Sequence, residues 1–241
     1  MSQKPALVFL VLVGAGFVAW HLSRPDPVGN ALRARELATR GLAEHLARTY
    51  PGKRVLVVSN PFTQQDGAAK EIVQMDEAGI RGLREGFGDK IKIAAVAFPE
   101  LKPGALENPQ ALLAEVETTT PLSHLVSTNA FDRLAKEHLD CEIIVSLIGL
   151  PLDVERCETW KASDTTKFAL LLPDFRGIAS AAKVQQAVSS GKLPAFVLAK
   201  YGVQDEDSSL SGDFKAEFEK RFILVTGENI DHIIQTRPEL F

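Results

Sequence analysis

The chain has 241 residues, of which 24% are charged and 45% hydrophobic, and its formal net charge is -4 at pH 7. This composition excludes a globally disordered chain, and the length is sufficient for one large α/β domain with a sizeable core. A dedicated nucleic-acid binder needs a basic surface, so the acidic balance predicts no nucleic-acid partner.

The first apolar run predicts a membrane segment. Residues 5–20 carry no charged side chain and directly follow Lys4. At about 1.5 Å per residue, a helix of this length is slightly short for a bilayer core of roughly 30 Å. Leu22 can extend the helix, and Trp20 suits the membrane interface. We therefore expect a signal anchor or transmembrane helix over residues 1–22.

The localisation depends on whether this segment is cleaved. An uncleaved anchor would attach the chain to the membrane through residues 5–22. The protein would then be a single-pass protein of the inner or cytoplasmic membrane, with its domain facing the periplasm or the cell exterior. The alternative is a cleaved signal and a secreted domain, although Gly14 and Gly16 make a poor cleavage site within the apolar run. A buried helix is the third interpretation.

Two prolines mark a linker over residues 23–30, because proline prevents the membrane helix from continuing. Asn30 suits the N-cap of a helix over about 31–49. Apolar runs then alternate with helical patterns to the end of the chain. This alternation predicts a single α/β domain over residues 31–241.

Six apolar runs predict the strands of one sheet. The first, residues 54–58, is too short for a helix and too apolar for an exposed strand, which is typical of a strand covered on both faces. The other runs are residues 90–98, 141–149, 167–172, 195–200 and 221–225. Helical patterns between them favour right-handed crossovers. We predict a three-layer α/β/α fold with a mostly parallel sheet of about five to six strands, preceded by the membrane helix.

One side of this sheet, here called the carboxyl edge, collects polar residues. In open parallel sheets, ligands bind beyond the carboxyl ends of the strands, near a switch in strand order. The polar side chains that follow strand ends form the candidate ligand-binding set of Ser59, Asn60, Thr63, Asp153, Asp174, Arg176 and Glu228. They share one edge if every strand is parallel. Within this set, Asp174 and Arg176 could form a local ion pair or together bind a zwitterionic ligand.

Known catalytic and metal-binding motifs do not occur in the sequence. It contains no phosphate loop, dinucleotide fingerprint, nucleophile elbow or HExxH motif. The five histidines lack metal-ligand spacing and form no zinc pattern with the two cysteines. We therefore predict no metal site and no cofactor, and we consider an enzyme less favoured than a non-catalytic domain.

The two cysteines could form a disulfide if the domain is exported. Cys141 begins a predicted strand, whereas Cys157 follows its far end. The strand spans roughly 25 Å at about 3.3 Å per residue, so the loop would have to run almost straight back. We expect both cysteines to be free, with Cys141 as a small buried residue.

Two segments resemble type 1 periplasmic binding proteins and related Rossmann-like domains. They are Val-Leu-Val-Val-Ser-Asn-Pro-Phe at 55–62 and Asp-Cys-Glu-Ile-Ile-Val-Ser-Leu at 140–147. In that family an Asn-Pro-Phe-like turn after the first strand and a strand of the Asp-x-Ile-Ile-Val kind are common. The resemblance covers roughly residues 53–200. It implies a single or reduced lobe, because the chain does not readily supply two full lobes, and it transfers no ligand residue.

Three functions follow as alternatives. The preferred one is a membrane-anchored extracytoplasmic domain that binds or senses a small solute at the carboxyl edge. The second is a non-catalytic structural or interaction subunit of an envelope complex, with an envelope protein as its partner. The third is an enzyme with an unrecognised site, in which Asp153, Asp174 and Glu228 could supply acid or base groups.

Overall fold

The computed structural model describes residues 27–176, 178–200 and 213–241. The predicted membrane segment over residues 1–22 lies outside these ranges. Among the described helices, none combines the length and the apolar character that a membrane span requires.

Strands and helices follow one another along the described chain. The strands are β1 (Arg54–Val58), β2 (Lys92–Ala97), β3 (Ile143–Ser146), β4 (Lys167–Leu171), β5 (Ala195–Ala199) and β6 (Phe222–Thr226). The helices are α1 (Pro27–Thr49), α2 (Lys70–Phe87), α3 (Pro109–Leu113), α4 (Leu122–Leu125), α5 (Ala130–Glu137), α6 (Ala181–Ser189), α7 (Phe214–Arg221) and α8 (Ile230–Thr236).

The six strands form one mostly parallel sheet in the order β2-β1-β3-β4-β5-β6. The first five strands are mutually parallel, and β6 pairs with β5 in the antiparallel sense. Helix α7 continues into β6 without a loop, and Lys200 N donates to Arg221 O at 2.8 Å. The chain therefore enters β6 at the carboxyl edge and runs back through the sheet.

Helices cover both faces of the sheet, as predicted. In β1, Val55 and Val57 pack in the cluster that includes α1, α2 and α7, whereas Leu56 and Val58 pack in the cluster of α5, α6 and α8. All four side chains are fully buried. Successive side chains of a strand point to opposite faces, so an uninterrupted apolar run is what a strand buried on both faces requires. The three-layer α/β/α prediction is confirmed.

Helix α1 begins at Pro27, four residues earlier than predicted. Asn30 therefore lies inside the helix and is not its N-cap, and the last four residues of the predicted linker are helical. Proline is tolerated in the first turn because the N–H that it lacks has no partner within the helix at that position.

Glycines allow α1 and α2 to pack with their backbones in contact. A Cβ atom at Gly82 would overlap Glu36 O, and one at Gly86 would lie 2.5 Å from Arg40 O. At Gly79, a Cβ atom would lie 3.1 Å from Arg35 Nε. The absence of a side chain at Gly79 therefore lets the Arg35 guanidinium lie against α2.

Cys141 and Cys157 are both free, and both are buried, which was predicted for Cys141. Burial raises the pKa of the Cys141 thiol to about 11 and that of Cys157 to about 12, and neighbouring aspartates add to both shifts. Neither thiol has the electropositive, exposed surroundings of a reactive cysteine.

Candidate functional site

A cavity of about 390 Å³ lies at the carboxyl edge, next to the point between β1 and β3 where the strand order switches. Doubly wound α/β domains bind ligands at this position. Helices α1 and α2, the ends of β1, β3 and β4, and residues 119–122 contribute to its lining. The lining residues are Arg35, Asn60, Glu71, Ile72, Met75, Asp76, Thr119, Thr120, Pro121, Leu122, Leu147, Ile148, Leu171 and Leu172.

A tight turn after β3 places Leu147 and Ile148 in the cavity wall. Ser146 Oγ donates to Gly149 O at 2.6 Å, and Ile148 N donates back to Ser146 Oγ at 3.3 Å. Gly149 has a φ of 81°, which glycine adopts without steric cost. The wall is therefore held by the backbone of the turn as well as by side-chain packing.

Leu172, at the end of β4, lines the same cavity in an unusual backbone conformation. Its φ is 45°, which is rare for a bulky residue. Its N–H donates to Val197 O at 2.9 Å, which keeps it bonded to β5. Such conformations cost about 1–3 kcal/mol and concentrate at functional sites. Leu172 is thus held in place by its surroundings at the cavity wall.

Asp174 fixes the segment that forms another wall. Its carboxylate accepts hydrogen bonds from Thr118 Oγ1, Thr119 N and Thr119 Oγ1, at 2.9, 2.9 and 3.4 Å. It also accepts bonds from the backbone N, Nε and Nη2 of Arg176, at 3.1, 2.9 and 2.9 Å. Burial alone would raise the pKa of Asp174, but the bonds from Arg176, Thr119 and Thr118 outweigh it and hold the pKa far below its usual range. Both carboxylate oxygens of Asp174 therefore accept hydrogen bonds from within the protein.

Arg35 reaches the cavity from α1. Its Nη2 donates to Leu147 O at 3.3 Å. Its Nε is fully enclosed and has no hydrogen-bond partner among the described residues. Burial lowers the pKa of Arg35, and the charge of Asp76 acts in the opposite direction. The guanidinium is therefore partly buried, with much of its donor capacity unused.

Asp76 lies on α2 and is 6% exposed. Its Oδ1 accepts hydrogen bonds from Ser59 Oγ and, at 3.3 Å, from Asn60 N. Across the described part of the chain, its Oδ2 has no hydrogen-bond partner, and Asp76 forms no direct ion pair with Arg35. The opposite charges of Arg35 and Asp76 therefore line the same cavity and attract each other without a direct hydrogen bond.

All seven predicted site residues lie in the described part of the chain, and Asn60 is the one among them that lines this cavity. Its Oδ1 accepts a bond from Phe62 N at 3.0 Å and caps the short 3-10 turn Pro61–Gln64. Thr63 Oγ1 donates to Asn60 O at 2.7 Å in the same turn. Ser59 is buried behind the cavity, where it donates to Asp76. Ser59 and Thr63 therefore support the site without facing it.

Asp153, Asp174 and Arg176 lie at the carboxyl edge but outside this cavity. Asp153 Oδ2 accepts one hydrogen bond, from Asn129 N at 3.1 Å. Asp174 and Arg176 form the predicted ion pair, with Nη2 2.9 Å from Oδ2, and line a smaller neighbouring pocket. Because these two residues bond to each other, the alternative of a shared zwitterionic ligand is not favoured.

The prediction that Glu228 shares the carboxyl edge is wrong. Glu228 follows β6, which is antiparallel to β5, so it lies at the opposite edge of the sheet. There its charge acts on His45, near the C-terminal end of α1. The sequence pattern identified β6 as a strand but carried no information about its direction.

Three charged residues line the cavity, Arg35, Glu71 and Asp76, and none of them was predicted, because all three lie on helices whereas the predicted site residues follow strands. A signal exists for Asp76, because it interrupts the helical apolar series of Ile72, Met75 and Gly79 with a charge. A charged residue in the buried face of a helix requires a partner, and it therefore marks a candidate site.

The side chains around the cavity can bind a small molecule. None of the four histidines within the described residues lines it. The described residues contain no group of three or more His, Cys, Asp or Glu side chains that could hold a metal ion. The cavity offers donors from Arg35, an acceptor at Asp76 and an aliphatic wall, which together can hold and orient a small molecule.

No protein-family model matches the chain, and no curated protein matches it. Solved structures of solute-binding proteins are similar to it in fold. A carbohydrate transporter from Acidothermus cellulolyticus 11B, in complex with myo-inositol, has a TM-score of 0.46 and 11% identity, covering 86% of this chain and 62% of the other. A periplasmic solute-binding protein from Actinobacillus succinogenes 130z, with bound D-allose, has a TM-score of 0.44 and 14% identity, covering 82% and 62%.

The Caulobacter myo-inositol binding protein has a TM-score of 0.41 and 15% identity, covering 82% of this chain and 60% of the other. The chain therefore spans less than two thirds of the length of these proteins. The resemblance to periplasmic binding proteins that the sequence predicts is thus present in the structure, as a modest likeness of fold that carries no information about the ligand.

Proposed function

We propose that this chain is a small-solute-binding domain built from a single α/β lobe, with its site in the cavity beside β1 and β3. One observation carries the proposal: Arg35 and Asp76 both line the cavity with polar atoms that no described residue satisfies. Buried polar groups in native proteins are nearly always paired. Arg35 Nε is a buried group without a partner among the described residues and would cost about 1–3 kcal/mol, whereas the free oxygen of Asp76 is open to solvent, and the two together support a polar ligand in the cavity.

The same proposal includes membrane attachment on the outer side of the membrane. The charge-free run over residues 5–20 supports a signal anchor that would hold the domain in the periplasm or at the cell exterior. Helix α1 begins at Pro27, which leaves a connection of only a few residues between this run and the domain.

A second candidate, an interaction subunit of an envelope complex, is favoured by exposed apolar side chains. Within the described ranges, five of the six exposed large apolar residues lie toward the carboxyl edge; they are Val28, Ile72, Leu106, Leu112 and Leu152. Leu139, which is 85% exposed, lies on the opposite side, before β3. An envelope protein that covered these residues would bury apolar surface next to the cavity.

The third candidate, an enzyme with an unrecognised site, gains no support from Asp153, Asp174 and Glu228. Glu228 lies at the opposite edge from the other two, and both oxygens of Asp174 are already bonded within the protein. These three carboxylates do not form one site.

A thermal-shift screen of the full chain in a mild detergent tests solute binding. A solute that binds only the folded state raises the apparent stability, by about 2.7 kcal/mol at one hundred times its Kd. Met75→Trp should fill the cavity and abolish the shift. Leu139→Trp, which adds the same side chain at an exposed position on the opposite side, should retain it.

The opposite result would support the second candidate. If no solute shifts the full chain, and crosslinking captures an envelope protein that Leu106→Asp and Leu112→Asp release, the domain acts in assembly. Solute binding at the cavity would then be refuted.

A further inference from the structure

The unused donors of Arg35 define one half of the ligand. An arginine offers five N–H donors, and here one hydrogen bond is made, from Nη2 to Leu147 O. Arg35 Nε is the one fully enclosed side-chain nitrogen or oxygen in the described chain that lacks a partner. Nη1 also makes no hydrogen bond to a described residue and is not enclosed, and Arg35 is one of the residues that line the cavity. Planar guanidinium donors match a carboxylate.

The open oxygen of Asp76 defines the other half. Oδ1 is used by Ser59 and Asn60, whereas Oδ2 has no partner among the described residues and is not enclosed. An ionised carboxylate only accepts hydrogen bonds, so a ligand group that binds Oδ2 of Asp76 must be a hydrogen-bond donor. An ammonium group adds an opposite charge to that hydrogen bond.

The rest of the lining restricts the body of the ligand. Eight of the fourteen lining residues are aliphatic, methionine or proline, and no aromatic side chain of the described residues takes part. A polyol in this cavity would place hydroxyl groups against an apolar wall, which costs free energy because they would lose their hydrogen bonds. An aliphatic body gains from the same wall.

We propose that the ligand is a small zwitterion with an aliphatic body, such as a branched-chain α-amino acid, and that this inference rests on the function proposed above. Its carboxylate would bind Arg35, and its ammonium group would bind Asp76. A purely anionic ligand would instead approach both Asp76 and Glu71, which lies at the same cavity. A purely cationic ligand would leave Arg35 without a partner.

Titration calorimetry of the full chain with matched ligands tests this assignment without any variant. The probes are L-leucine, 3-methylbutylamine, which lacks the carboxylate, 4-methylpentanoate, which lacks the ammonium group, and myo-inositol. We expect L-leucine to bind, and each truncated analogue to bind about 10- to 100-fold more weakly, as the loss of a hydrogen bond between charged groups predicts.

Two variants then assign each charge of the ligand to one residue. In Arg35→Met, L-leucine and 3-methylbutylamine should bind equally, because the carboxylate no longer has a partner. In Asp76→Asn, L-leucine and 4-methylpentanoate should bind equally, because the ammonium group has lost its counter-charge. Arg133→Met and Glu100→Gln break an exposed ion pair at the same edge outside the cavity, and both should bind L-leucine like the native chain.

The possible failures are distinguishable. Binding of myo-inositol that Met75→Trp abolishes, with no binding of L-leucine, would overturn the ligand class and leave solute binding intact. Equal binding of L-leucine and 3-methylbutylamine by the native chain would overturn the role of Arg35. No binding of any solute, here or in the wider screen, would overturn the proposed function itself.

Discussion

Asp174 and Asp76 are two buried carboxylates at the same edge of the sheet, and they differ in how completely the protein satisfies them. They are 5% and 6% exposed. Asp174 accepts six hydrogen bonds through both oxygens, whereas Asp76 accepts two through Oδ1 alone. Burial alone therefore does not distinguish the two carboxylates. They differ in unfilled hydrogen-bonding capacity, which at Asp76 is available to the ligand proposed above.

The largest effect on stability is expected at Asp174. Asp174→Ala should lower the free energy of unfolding by about 3 kcal/mol, because it leaves Thr119 N and the Thr118 hydroxyl without their acceptor and removes one partner of Arg176. Urea denaturation followed by circular dichroism measures the change. Asp153→Ala is the control, with an expected loss of at most about 1 kcal/mol, since Asp153 accepts a single bond. Equal losses in the two variants would contradict the structural role of Asp174.

Acid should destabilise the protein through its satisfied carboxylates. In Asp174 and Asp132, burial opposes ionisation, but hydrogen bonds outweigh it and lower the pKa below the ordinary value of 3.8. A carboxyl group whose pKa is lower in the folded state binds protons more readily when unfolded. Its contribution is therefore complete above about pH 4 and is lost as the pH falls toward the folded pKa.

Denaturation curves between pH 7 and pH 2 measure this loss. In Asp174→Asn the free energy of unfolding should be lower at pH 7 and should fall less toward pH 2 than in the native chain. An unchanged pH dependence in this variant would show that other groups govern the acid response.

A smaller effect on stability is expected at Asp76. Asp76→Asn keeps an oxygen that can accept from Ser59 Oγ and Asn60 N, and it changes only the atom that has no partner. The free energy of unfolding should change by less than about 1 kcal/mol, and by less than in Asp174→Asn, when both are measured by the same denaturation. A larger loss at Asp76 would reverse the comparison and make Asp76 a structural residue.

The smallest effect is expected from thiol modification. The raised pKa values of Cys141 and Cys157, about 11 and 12, leave little thiolate at pH 8, and both side chains are buried. Iodoacetamide should therefore leave both cysteines unmodified in the native chain and alkylate both in urea, as mass spectrometry can determine. Rapid labelling of the native chain would show that one of them is accessible in solution.

Local patterns were sufficient to predict the sheet. The run at β1 is apolar without alternation because both of its faces are covered, and the other five strands lie at positions close to those predicted. The direction of β6 could not be predicted, because it depends on how α7 joins it at the carboxyl edge. That error alone placed Glu228 at the wrong edge.

The site was predicted in position but not in residues. Asn60 was predicted because it follows β1, whereas Arg35 and Asp76 are brought to the same cavity only by the packing of α1 on α2. The absence of a side chain at Gly79 leaves the space that Arg35 occupies. Contacts of this kind depend on the rotation and distance of two helices, which a single sequence does not specify.

The direction of α1 determines on which side of the sheet the segment before Pro27 joins the domain. Arg35 contacts the end of β3 and His45 lies near Glu228, so α1 runs from the carboxyl edge toward the opposite edge. Residues 23–26 can span at most about 14 Å, and Pro27 precedes Arg35 by about 12 Å of helix. If residues 5–22 cross a bilayer as predicted, the cavity would open into a thin layer of solvent above the lipid. The domain would then bind solute at the membrane surface, and the length of residues 23–26 would determine how freely the solute reaches the cavity.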